Sequence, residues 1–245
     1  LLSSQTLANS VGIGIGRATD FPGSDNYVFS PNAAFELDTS IGTLKNNSVG
    51  VQLDIIKSSS IDSGPILRAN FGRDDTVEDI AVAALPEIAA TAELGWFVNS
   101  GFKLERLGIQ SDAIVIGRLD AVTDVGDGHG GTQIKGSVGL VFQLTDNFRL
   151  VPSIGFNYVN DSYSESFYSV SDASAAATGL DEFNASGGLE YTQAALYGVR
   201  TIDEHWSVTG TLAFNSLQGD AAESPVTRRG TEEQLFTGFV VHYNF

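Results

Sequence analysis

The sequence predicts an all-β fold: a closed antiparallel transmembrane β-barrel of about twelve strands, with about ten as the alternative, carrying short periplasmic turns and long extracellular loops. Three observations carry this prediction. Apolar and polar residues alternate with period two in segments along the whole chain, which places one set on each side of a sheet. No uninterrupted apolar run approaches the ~18 residues of a membrane helix, and the most helix-like stretch, Ile80 to Ala92, is broken by Pro86 and Glu87. Mean hydropathy is near neutral at +0.03 although only 18% of residues are charged, because apolar side chains are dispersed singly among Gly, Ser, Thr and Asn. A chain of 245 residues built this way reads as one outer-membrane barrel domain over 1–245.

In chain order, strands are expected at Asn9–Arg17, Tyr27–Asp38, Ile41–Lys45, Ser48–Lys57, Gly64–Arg73, Glu87–Asn99, Phe102–Ala121, Thr132–Thr145, Phe148–Asn160, Ala185–Arg200, His205–Leu217 and Glu233–Phe245. In the first, Gly12, Gly14 and Gly16 alternate with Ile13 and Ile15. The third is weak and rests on parity, since chain ends on the same side of the membrane require an even number of strands. In the fourth, Val49, Val51, Leu53 and Ile55 oppose Gly50, Gln52 and Asp54. The eighth and ninth form a hairpin: Ile134, Gly136, Val138, Leu140 and Phe142 share a face, Thr145-Asp146-Asn147 turns the chain, and Phe148, Leu150, Ile154, Phe156 and Tyr158 share the next face. In the eleventh, Trp206, Val208, Leu212 and Phe214 oppose Ser207, Thr209, Thr211 and Asn215. The last strand places Phe239, Val241, Tyr243 and Phe245 on one side, and a chain that ends on Phe after alternating aromatics fits an outer-membrane assembly signal read by the assembly machinery.

Between these strands, short turns are expected at Asp38–Ser40, Ser58–Asp62, Ser100–Gly101, Thr145–Asn147 and Thr201–His205. They alternate with longer loops at Thr19–Asn26, Asp74–Pro86, Val122–Gly131, Asp161–Asn184 and Gln218–Glu232, which hold much of the negative charge. Closure is a physical necessity in hydrocarbon, where every backbone N–H and C=O needs an internal partner. Trp96, Phe102, Phe148, Tyr158, Tyr197, Trp206, Tyr243 and Phe245 near the strand ends would form the interfacial girdles, with lipid bilayer and lipopolysaccharide as surroundings.

The 13 Lys+Arg against 30 Asp+Glu give a formal charge of −17, the wrong sign for gripping phosphate backbones, so nucleic acid is excluded as a partner. Without cysteine there is no disulfide framework, thiolate metal site or cysteine nucleophile. The absence of Met, including an initiator, is read as a mature form from which an export leader has been removed, destined for the outer membrane of a Gram-negative bacterium.

Three constellations invite chemistry. Gly12-Ile13-Gly14-Ile15-Gly16 superficially matches a dinucleotide loop, but that fingerprint needs a strand before it and a helix after it, and here the glycines alternate inside a strand. Asp124, Asp127 and His129 offer oxygen and imidazole ligands, yet one short loop with one His is a poor cage, and glycines with an Asp bonding its own backbone make an ordinary turn. His129, His205 and His242 are the only candidate bases and none has a convincing nucleophile beside it, so no enzyme, cofactor or metal is expected. The inward positions carry Asp54, Arg68, Glu93, Asp112, Arg118, Asp120, Lys135, Arg149, Glu190 and His242. Such charges either pair across the lumen and close it, or line a narrow pore whose acidic mouth concentrates cations.

The C-terminal third is more specific. Gly219-Asp220-Ala221-Ala222-Glu223-Ser224-Pro225, with Gly230 and the terminal strand behind it, resembles the MltA-interacting protein/OmpV family of outer-membrane barrels. Fragments in that family's order include Pro22-Gly23-Ser24-Asp25-Asn26-Tyr27, Gly72-Arg73-Asp74, Glu93-Leu94-Gly95, and Gly126 to Gly131 with Asp127 and His129. Phe21-Pro22 and Tyr168-Ser169-Val170 depart from its pattern. The resemblance implies a scaffold that links a lytic transglycosylase and a murein polymerase in peptidoglycan maintenance. A small porin-like diffusion channel and a surface adhesin are its alternatives, and lumen charges or the loops Asp161–Asn184 and Gln218–Glu232 would carry them.

Overall fold

The structure, a computed structural model, describes residues 9–47, 49–56, 58 and 60–245. Twelve antiparallel strands close into a barrel, each pairing its neighbour in sequence and β1 pairing β12. They are β1 (Ser10–Thr19), β2 (Tyr27–Thr39), β3 (Gly42–Asn47), β4 (Gly50–Asp54), β5 (Ile61–Asn70), β6 (Thr91–Lys103), β7 (Ile114–Asp124), β8 (Thr132–Thr145), β9 (Phe148–Val159), β10 (Gly188–Thr201), β11 (Trp206–Leu217) and β12 (Glu233–Asn244). The weak third strand is therefore real, and the count is twelve rather than ten. Ser48, Lys57 and Ser59, which fall in the expected fourth strand and the turn after it, lie outside the described residues.

Alternation sets the two faces. Val11, Ile13 and Ile15 of β1, Leu94, Trp96 and Val98 of β6, Val138, Ile154, Leu212 and Phe239 are exposed on the outside. Their neighbours in sequence point into the lumen. Gly14 is an inward position where no side chain fits, since a Cβ would stand 2.0 Å from the Phe239 carbonyl oxygen on β12. At the end where β1 begins and β12 ends, the Tyr243 ring meets Trp206 edge-on at 5.1 Å and stacks on Phe245 at 6.4 Å.

Three expectations need correction. The segment Phe102–Ala121 is not one strand. Phe102 and Lys103 end β6, Leu104–Leu107 forms a 3-10 turn closed by Gly108 at φ 77°, and β7 begins only at Ile114. Leu104, Leu107 and Ile109 read as a strand because apolar spacing alone cannot separate a short turn from an extended run. Ser100–Gly101 is consequently no turn; both residues sit inside β6, paired with Gly117 and Ile116. Asp112, expected to face the lumen, is exposed in the β6–β7 connection for the same reason.

The long loops at the opposite end are not extended. They contain α1 (Ile80–Ala83), α2 (Asp161–Tyr168), α3 (Asp172–Thr178) and α4 (Gly219–Glu223). Local capping starts each of the first three: the Asp79 carboxylate accepts the Ala81 and Val82 N–H groups, Asn160 accepts that of Tyr163, and Ser171 that of Ser174. Helices this short do not persist alone, and packing holds them. Ile88, Val159, Tyr163, Phe167, Tyr168, Ala185, Leu217 and Ala221 form one buried apolar cluster. Phe21, Val82, Leu85, Val170 and Val226 form a second, with Phe183 packed against both. Four loops thus interlock into a cap over one mouth of the barrel.

Candidate functional site

Beneath the cap a belt of polar side chains runs along the inside of the barrel. β6 places Glu93 inward, with its side chain 1% exposed. Arg68 of β5 donates from Nε to its Oε2 at 2.6 Å, and Oε1 accepts from Asn70 at 3.1 Å and Gln133 of β8 at 2.5 Å. His129 closes the group: its Nδ1 accepts the Gly131 N–H at 3.0 Å, so the proton sits on Nε2, 3.0 Å from Glu93 Oε1. Arg68 lies 3.6 Å from Asp120, which also accepts from Arg118 Nε at 2.9 Å. Arg118 donates further to Gln52 and Asn99, each at 3.1 Å.

The belt continues through Asn157 of β9, which donates to Gln133 and to Glu190. A register shift between Leu189 and Tyr191 lets Glu190 as well as Tyr191 turn inward. There the Tyr168 hydroxyl of α2 donates to Glu190 at 2.7 Å. Burial, and after it the Glu190 charge, pushes the hydroxyls of Tyr163 and Tyr168 well above the ordinary tyrosine range. The cap and the belt are therefore one assembly, joined again where the Tyr163 ring meets His129 edge-on at 4.9 Å and stacks on Phe167 at 4.6 Å.

The residues of the Gly219–Pro225 block hold this cap. Gly219 opens α4 at φ 52°, and Asp220 accepts the Ser186 N–H at 2.8 Å. Ser224, fully buried, donates to the Tyr168 carbonyl at 2.6 Å and accepts the Val226 N–H after Pro225. Gly23 lies at φ 101° with a would-be Cβ 2.6 Å from Thr227 Oγ1, so only glycine fits. Its N–H and the carbonyl of buried Ser24 are both met by Gln234 of β12. Asp25 is exposed beside them.

Several candidates stand apart from the belt. Asp54 caps the turn after β4, accepting the N–H groups of Ile56 and Ser63. Arg149 and Lys45 line a cavity of 560 Å³ at the end where β1 begins, where Lys45 lies 3.4 Å from Glu36 and 3.9 Å from Asp62. Asp124, Asp127 and His129 do not converge on a common point. Asp124 accepts the N–H groups of Gly126, His129 and Gly130, Asp127 is exposed at φ 60°, and His129 turns to Glu93. Among the described residues no group of three or more acidic or imidazole side chains could hold a metal ion. His242 shares a contact with the Thr209 hydroxyl at 3.1 Å, and His205 is exposed in a turn. Asn70, Gln133, Asn157 and Tyr168 were missed by the charge pattern; only the inward parity of Gln133 and Asn157 could have signalled them.

The model of the family described as MltA-interacting protein MipA matches residues 11–245. The chain belongs to that family. It is also 30% identical to outer membrane protein OmpV of Vibrio cholerae serotype O1 over 96 residues, a match spanning 39% of this chain and 36% of that protein's length. Among solved structures it is similar in fold to the NanC porin, with a TM-score of 0.52, 10% identity, and 96% of this chain and 100% of that one covered. The protein is thus an outer-membrane β-barrel in the lipid bilayer. The end where β1 begins and β12 ends, with the short turns, is its periplasmic end, and the cap faces outward.

Proposed function

We propose that this barrel anchors a periplasmic cell-wall enzyme at the outer membrane, as a scaffold for a lytic transglycosylase and a murein polymerase, and performs no catalysis of its own. The observation that carries the reading is the contrast between the two ends. The outer mouth is covered by the interlocked cap and the belt beneath it, whereas the periplasmic turns expose large apolar side chains: Ile41 at 69%, Leu107 at 61%, Ile109 at 50% and Ile202 at 60%. Apolar groups raised on turns beyond a membrane girdle offer the anchors a protein partner buries. The β6–β7 connection is longer than a tight turn and supplies two of them. The name of the matched family, an interactor of MltA, supports the same class of partner.

The test is retention of a purified lytic transglycosylase by the detergent-folded protein, against a porin of similar size. Retention is expected, with at least tenfold weaker binding by the Leu107→Ser/Ile109→Ser variant. Equal retention by the porin would sink the reading. A channel is the second reading, favoured by the 560 Å³ periplasmic cavity and the mixed charge along it.

A further inference from the structure

The wall of the barrel is lower on one side at its outer end. β3 stops at Asn47 and β4 starts at Gly50, whereas β2 runs on from Phe35 to Tyr27. Along that stretch β2 pairs with β1 only. Asp20 donates to the Asn26 carbonyl in the same register, so even-numbered residues of β2 bond to β1 and odd-numbered ones present N–H and C=O to the other side. Asn46 of β3 meets the first two of these groups, accepting the Phe35 N–H at 2.7 Å and donating to the Ala33 carbonyl. Beyond it, among the described residues, no strand faces the edge at Ala33, Pro31 and Phe29.

An open sheet edge is not tolerated in hydrocarbon unless something covers it. Pro31 falls on the open side, removes a donor there and bars an added strand. The cover is therefore not a β-strand. Phe29 is 68% exposed on the outer face, and inward Val28 and Ser30 are exposed as well, so the notch opens towards the interior. Asn32 and Val49, on its two sides, line a mid-barrel cavity of 510 Å³ together with Arg68, Arg118 and Lys135. Glu93, Asp120 and Glu190 are committed to the belt. The Lys135 ammonium stands 5.9 Å from the Tyr191 ring, and among the described residues no hydrogen bond or ion pair holds it.

We propose that the notch between β2 and β5, above the β3–β4 hairpin, is a side portal that admits the headgroup of an anionic membrane lipid towards Lys135 while its acyl chains lie along Phe29 and the outer face. An apolar entrance and an unpaired cation inside match the two halves of such a molecule. A periplasmic anion could reach the same cation along the barrel axis, and the probes must separate these sources.

The experiment loads the folded full chain in maltoside micelles with dioctanoylphosphatidic acid, dioctanoylglycerol or inorganic phosphate and counts retained molecules by native mass spectrometry. One phosphatidic acid per barrel is expected, at least tenfold less in Lys135→Gln and in Asn32→Trp, which narrows the portal, and unchanged in the periplasmic control Lys103→Gln. Heat-modifiable migration on a gel establishes that each variant is folded, and Ser30→Trp replaces Asn32→Trp if the latter fails. Equal retention of dioctanoylglycerol would reduce the site to ordinary boundary lipid and overturn the proposal. Displacement of the lipid by equimolar inorganic phosphate, or indifference to the tryptophan variants, would overturn the portal in favour of an axial anion.

Discussion

At the scale of single residues, Glu93 joins four side chains inside the barrel. It takes bonds from Arg68, Asn70, His129 and Gln133 while almost fully buried. Removing one partner of a buried, hydrogen-bonded charge pair costs about 3–5 kcal/mol, because the other charge is left without compensation. Glu93→Ala is expected to lose that amount in urea unfolding from lipid vesicles, and Glu93→Gln less. Tyr168→Phe removes one hydrogen bond to a charged acceptor without opening a cavity, and about 2 kcal/mol is expected from the same assay. Substituting exposed Asp25 should stay within about 0.5 kcal/mol, although it sits in the same short motif as Gly23 and Ser24. Glu93, Arg68 and Lys135 were legible as inward positions because parity in a strand is decided by sequence alone. Which of them pair was not, because Glu93 and His129 are 36 residues apart and meet only once β7 has paired with β6 and the loop after it has folded back.

At the scale of elements, α2 ties pH to stability. Folded Tyr163 and Tyr168 keep their protons above the ordinary tyrosine range, whereas the unfolded chain releases them near pH 10. The unfolded state then binds fewer protons than the folded one, so stability falls as pH rises beyond 10. Arg73, pushed down to about 10 by burial, acts in the opposite direction and offsets part of the loss. A net slope of about 1.4 kcal/mol per pH unit corresponds to one proton. Urea midpoints at pH 9 and pH 11 check this, and no decline would contradict the burial of the two rings. At the low-pH side, Asp79 is held below the usual carboxylate range because its bonds to Arg229 and the α1 amides outweigh the cost of burying it. That clasp between the β5–β6 and β11–β12 loops is present above pH 4 and is lost as pH falls through the lowered value. The terminal strand carries its own test. Deleting Tyr243–Phe245 removes Phe245, whose N–H bonds to Asn9, and the ring contacts of Tyr243. Insertion into the outer membrane is expected to drop severalfold, and normal membrane levels would refute an assembly role for this end.

At the scale of the whole molecule, cap and belt decide how the barrel behaves as a conduit. With both in place at the outer mouth, small or no single-channel conductance is expected in a planar bilayer. Glu93→Ala, which unties β5, β6, β8 and the β7–β8 loop at once, should raise the frequency of open events. A large steady conductance in the unmodified protein would favour the channel reading over the scaffold.

The sequence by itself determined the barrel, its inward and outward faces, the ends of β2, β8, β9, β11 and β12 to within a residue and the approximate positions of the loops, because period two is a local property and closure follows from the absence of water in hydrocarbon. It misplaced the β6–β7 boundary, where three apolar residues in a turn imitate a strand. Only the tertiary structure decided that acidic, Gly/Ser-rich loops fold inward as a cap, that Glu93 gathers partners from two strands and one loop, and that among the described residues the β3–β4 hairpin leaves part of the β2 edge without a strand partner. Each of these depends on how far apart in sequence two segments may be and still meet, and no local pattern encodes that distance.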